Sequence, residues 1–89
     1  MYTNMYTYTD KEFQSLTFHD LVSCANQIEL VVRFSPDVYC TFKISKRKAL
    51  EQFKPFWGFT NAQLLQKAIK GEAPHLMQGP NNTITIEAN

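Results

Sequence analysis

Glycine is scarce in this chain, three in 89 residues with no two adjacent, so no glycine-rich loop is present to wrap a phosphate group. Cysteine is scarcer. Cys24 and Cys40 are the only two, too few for a disulfide framework, and in a reducing compartment a pair of free cysteines is expected to sit inside as small hydrophobes. A Cys24 to Cys40 bridge is the minority alternative. No apolar run approaches the ~20 residues needed to cross a bilayer, so neither a membrane-spanning helix nor a membrane partner is expected. The opening Met1-Tyr2-Thr3-Asn4-Met5-Tyr6 has neither the basic nor the apolar region of a secretory leader. The expected address is therefore the cytoplasm, and the Asn81-Asn82-Thr83 sequon carries no expectation of glycosylation.

Ligand and catalytic groupings are missing too. His19, Cys24, Cys40 and His75 supply the residue count of a zinc site, yet no two stand at the spacing that lets one turn provide paired ligands. His19 and Cys24 are five apart, about 140° around a helix, and cannot meet there as base and nucleophile. Carboxylates are scattered. No catalytic, cofactor-binding or metal residue is expected, and hence no enzyme.

What is present suits a folded core. The hydrophobic share is 44% against 19% charged, and seven Phe, four Tyr and one Trp supply bulk for a single globular domain spanning 1–89. Thr9-Asp10-Lys11-Glu12 has the spacing of a capping box, which predicts a helix from Asp10 to about Asn26 with a second start, and a possible break, near Thr17. From Ile28 to Phe34 the period becomes two, with Ile28, Leu30, Val32 and Phe34 on one face. Ser35-Pro36-Asp37 provides a turn, and Val38, Cys40, Phe42 and Ile44 then alternate inward on the returning strand, with Tyr39, Thr41 and Lys43 outside. Ser45 caps a helix to Phe53, ended by Pro55. Thr60 or Asn61 caps another over Ala62 to Lys70, with Leu64, Leu65, Ala68 and Ile69 inward and Gly71 at its end. His75 to Gln78 and Thr83 to Ala88 flank Gly79-Pro80-Asn81-Asn82 as a second hairpin. The expected fold is α+β, an antiparallel sheet of two hairpins packed against about three helices, with residues 1–8 a loose segment or an edge strand.

Three surfaces are candidates for function. The net charge is only +1, which excludes the acidic surface of a nucleic-acid mimic, but Lys43, Lys46, Arg47, Lys48 and Lys54 face Glu51 alone within residues 43 to 54. Cations in a first helical turn oppose the helix dipole, so this placement asks for something negative nearby. Phe53-Lys54-Pro55-Phe56-Trp57-Gly58-Phe59 packs four aromatics into seven residues. Trp57 and whichever of Phe56 and Phe59 points outward would serve contact with a partner, the rest plugging a junction in the core. Tyr2, Tyr6 and Tyr8 share one side of an extended segment and combine contact area with polar tips.

These features predict a non-enzymatic binding protein that docks on a larger macromolecule as an adaptor or inhibitor. Phages and other mobile elements use compact chains of this style against host systems, an analogy of size alone. A small nucleic-acid-binding module using the 43–54 segment is the alternative, and a homodimeric interaction domain the second.

Overall fold

The computed structural model describes residues 7 to 88. In chain order these form α1 (Asp10–Ser15), α2 (Phe18–Cys24), β1 (Gln27–Ser35), β2 (Val38–Ile44), α3 (Lys46–Gln52), a 3-10 turn (Lys54–Phe56), α4 (Asn61–Ile69), β3 (His75–Gln78), a second 3-10 turn (Pro80–Asn82) and β4 (Thr83–Glu87). All four α-helices begin on a hydroxyl side chain. Thr9, Thr17, Ser45 and Thr60 each accept a bond from the backbone N–H three residues on, satisfying a donor that the helix itself cannot.

The expected 10–26 helix is two helices, because Leu16 is extended and Thr17 starts a new cap. Phe18 N–H donates to Phe59 O at 2.9 Å and Asn61 N–H to Leu16 O at 2.9 Å, so this break is tied to the start of α4. The short helices lie against one face of a four-stranded sheet of order β2-β1-β4-β3. Phe18, Leu21, Val22, Ala25, Ile28, Leu64, Ile84 and Ile86 fill the space between, with Phe18, Leu64, Ile84 and Ile86 fully buried. The Phe18 ring packs tilted against Phe53, at 5.7 Å between ring centroids and 57° between their planes.

The α+β class and both hairpins hold. Their junction differs from the expected antiparallel sheet: β1 pairs with β4 in parallel, Ile28 beside Ile84 and Leu30 beside Ile86. This hides the two strands with the most isoleucine and leucine on the inner face in the middle of the sheet. Asn82 locks the arrangement. Its positive φ of 57° is one that asparagine tolerates, its Nδ2 donates to Cys24 O at 2.7 Å, and its own carbonyl accepts Asn26 N–H at 3.0 Å.

Several expected inward positions are not buried. Cys24 and Cys40 are both free and exposed, one at the end of α2 and the other on the edge strand. Ile69 is 80% exposed because five residues beyond Leu64 carry it about 140° around α4. Phe56 and Phe59 are both half-buried against the core, since the 3-10 turn winds this segment so that neither points fully outward. No strand covers Thr7 to Thr9; Tyr2 and Tyr6 lie outside the described residues.

The capping box of α1 gives a pH prediction with an internal control. Thr9 N–H and Oγ both donate to Glu12 Oε1, at 3.0 and 2.9 Å, and these bonds hold the Glu12 pKa below its ordinary value of 4.5. A lowered folded-state pKa contributes stability that is present above the ordinary value and is lost as pH falls through the folded one. Amide exchange in α1 is therefore expected to accelerate below about pH 5, beyond its intrinsic rate, by more than in α4, whose capping box uses the non-ionising Gln63. Equal protection of the two helices across that range would contradict it, and Glu12→Gln should abolish the difference.

Candidate interaction surface

Strand length decides where the sheet outruns its helices. β4 pairs with β1 only from Gln27 to Val31, so among the described residues the sole hydrogen-bonded neighbour of β1 beyond Val31 is β2. The far half of the first hairpin is a two-stranded ribbon. At about 3.3 Å per residue, the nine residues of β1 span roughly 30 Å, which accounts for most of the 41 Å long axis of the molecule against 27 and 23 Å for the others.

The ribbon keeps the apolar pattern of the core face after the helical layer has stopped. Ile28 and Ile44 face each other at its root, followed by Leu30 with Phe42 and Val32 with Cys40. Burial falls away along this row: Ile28 is inside, Leu30 half-buried, Val32 36% exposed, Phe42 51% and Val38 55%. Phe34, 67% exposed, lies at a bulge between Arg33 and Ser35 where the register with β2 shifts. Val38, Cys40 and Phe42 thus occupy the expected face but are not inward, because none of the described residues covers it there. A contiguous apolar strip on the exposed surface of a small domain marks an interaction site more often than it marks neutral surface.

Arg33 fixes the other face of the ribbon to the body. Its Nε and Nη2 donate to the two carboxylate oxygens of Glu87 at 3.3 and 3.2 Å, Nη1 donates to Pro36 O at 3.0 Å, and the guanidinium lies 5.2 Å from the Tyr39 ring centroid. The Glu87 hydrogen bond, and then its charge, push the Arg33 pKa further above its ordinary value. The paired fork holds strand-end geometry against twisting. An open groove bounded by Arg33, Phe34, Pro36 and Glu87 lies beside it.

The basic segment is dispersed by the fold. Lys46 Nζ donates to Ser23 O at 3.2 Å, Arg47 pairs with Glu51 at 3.4 Å one turn along α3, and Lys54 Nζ sits 5.9 Å from the Trp57 ring. Lys43 stands opposite Glu29 in the sheet, and Lys48 is exposed on α3; neither makes an ion pair among the described residues. The cation in the first turn of α3 has its explanation in a neighbouring helix. α2 ends without a basic residue of its own, and Lys46 supplies one to its terminal carbonyls. Lys46→Met is therefore expected to lower stability by about 0.5–1 kcal/mol, while Lys48→Met should leave it unchanged or slightly raised. Thermal melts of the two variants decide this; equal losses would refute the assignment.

Of the aromatic cluster, Trp57 is half-buried, donating Nε1–H to Leu50 O at 2.8 Å, with the His19 ring edge-on at 4.9 Å. Phe56 lies between Phe53 and Phe59 at 6.5 and 6.4 Å. Tyr8 packs on the core, its ring 6.3 Å from Phe13, and its backbone exchanges hydrogen bonds with the Gln78 side chain. Lys54, Phe56 and Trp57 come together on the turn after α3, whereas Tyr8 packs on Phe13. The alternation of the apolar ribbon reads as core in the sequence; the usable clue to its exposure is that the first hairpin has longer strands than the second.

A cavity of about 140 Å³ next to Phe53, Phe56, Ala73 and Pro74 is smaller than ordinary small-molecule pockets, while the open groove beside Arg33 and Phe34 measures about 460 Å³. Among the described residues, no three His, Cys, Asp or Glu side chains converge on a possible metal position, and no helix is long and apolar enough to cross a membrane. The chain is a small α+β domain with a projecting two-stranded ribbon. Comparison with family models, with curated proteins and with solved structures finds no match for it.

Proposed function

We propose that this is a non-enzymatic binding domain that docks on a larger protein through the ribbon, as an adaptor or inhibitor. The observation that carries the reading is the exposed row Val32, Val38 and Phe42, continuous with the core face and left uncovered by the described residues, with Phe34 exposed at the bulge beside it. Phenylalanines held on a hydrogen-bonded ribbon lose little further freedom on binding, so their burial is available for affinity. The preferred partner surface is an apolar groove or sheet face on another protein. Nucleic acid is a weaker fit, because three of the five cations in the 43–54 segment are already engaged within the chain.

The test is charge insertion. The double variant Phe34→Lys, Phe42→Lys should fold normally by circular dichroism and fail to capture the protein that the unaltered chain captures. Equal capture by both would overturn the reading.

A further inference from the structure

We infer that β2 is a dimerisation edge, pairing antiparallel with the β2 strand of a second copy about a two-fold axis at Cys40. This concerns the edge of the ribbon, whereas the docking reading concerns its face; neither requires the other.

The two edges of the sheet are treated differently. β3 is four residues long, follows Pro74, has α4 packed against it, and has its Gln78 side chain bonded both ways to the Tyr8 backbone. β2 has seven residues, no proline, no bulge of its own and one charge, Lys43, at its root. All but the last of its residues are exposed. Sheet proteins protect long edges with bulges, prolines, charges or cover, and β2 has almost none of these. No strand among the described residues pairs with its outer edge, so its outward backbone groups form a template for another strand.

The strand is complementary to itself in one register. Antiparallel pairing centred on Cys40 sets Val38 against the partner's Phe42 and Tyr39 against the partner's Thr41, and brings Asp37, in the turn just before β2, beside the partner's Lys43. Each apolar residue meets an apolar one, and the two charges meet with opposite sign twice per dimer. Centring on Thr41 instead sets Tyr39 against the partner's Lys43 and leaves Asp37 facing the partner's Ser45. Among the described residues neither Asp37 nor Lys43 makes an ion pair within its own chain, although Lys43 stands opposite Glu29 in the sheet. The two-fold axis runs through the sheet, so the apolar strips of both copies fall on the same side and merge into one wider platform.

A strand-edge contact of this size is expected to dissociate at roughly 1–100 µM. Light scattering over that range should show the mass doubling with concentration. Asp37→Lys and Lys43→Asp should each weaken the dimer roughly tenfold, and combining them should restore it to near the original affinity. Facing residues in such a pair have Cα atoms about 4.5–5.5 Å apart, within disulfide range. In a Cys24→Ser chain, diamide should therefore take two electrons and two protons from the paired Cys40 thiols and give a covalent dimer. A chain monomeric at about 1 mM, a dimer indifferent to both charge reversals, or no covalent dimer from Cys24→Ser would each overturn the inference. A monomer that still binds another protein through Phe34 and Phe42 overturns edge pairing and leaves the docking reading intact. A dimer with all the expected responses but no use for those phenylalanines does the reverse.

Discussion

The Phe34→Lys, Phe42→Lys variant is expected to lose partner affinity by more than ~100-fold while its stability changes by no more than about 1 kcal/mol. Both rings already face solvent for half or more of their surface in the free chain, so a lysine can replace them with its charge in water and its stem on the strand. In a complex the same positions would be desolvated. Two well-buried aromatic anchors typically contribute at least ~2 kcal/mol each, and a lysine there adds the cost of an unpaired charge. The measurement is a titration of captured partner, with the urea midpoint of the free variant as the control. A variant that binds like the parent, or one that melts far earlier, would remove the ribbon as the site or remove the test's selectivity.

Phe18→Ala is expected to do the opposite, leaving the ribbon untouched and taking away most of the stability. Phe18 is fully buried, contacts Phe53, and its backbone N–H is bonded to Phe59 at the break between α1 and α2. Truncating a buried phenylalanine costs about 3–5 kcal/mol, the lost transfer energy plus that of the remaining cavity. A domain this small has about 5 kcal/mol in total. The urea midpoint should fall by roughly 3 M for a slope near 1 kcal/mol per molar. A loss below about 1 kcal/mol would mean that α2 can close onto the sheet without its ring.

Local chemistry was legible in the sequence. Thr9 with Glu12, Ser45 before Lys46 and Pro36-Asp37 between two alternating runs each act over three or four residues, so the motif and its consequence share one stretch of chain. Features that depend on distant pairing were not legible. That β1 and β4 run in parallel requires Ile28 to meet Ile84 across 56 positions, and alternation alone says nothing of which strand lies beside which. The same blindness affected the site. Val38, Cys40 and Phe42 have the spacing of a core face; the pattern shows which face is apolar but not how far the covering helices extend. Lys46 looked misplaced in its own helix, and only the position of Ser23 O explains it.

Trp57 has a practical consequence. It is the only tryptophan, and it sits among the helices at Leu50 and His19, away from the ribbon. Its emission is thus an optical gauge of the helical layer alone: it should change sharply when that layer melts and stay nearly constant when the ribbon is occupied. A tryptophan placed at position 34 would give the ribbon its own fluorophore, so that in comparison with the parent chain, unfolding and docking could be followed separately by fluorescence.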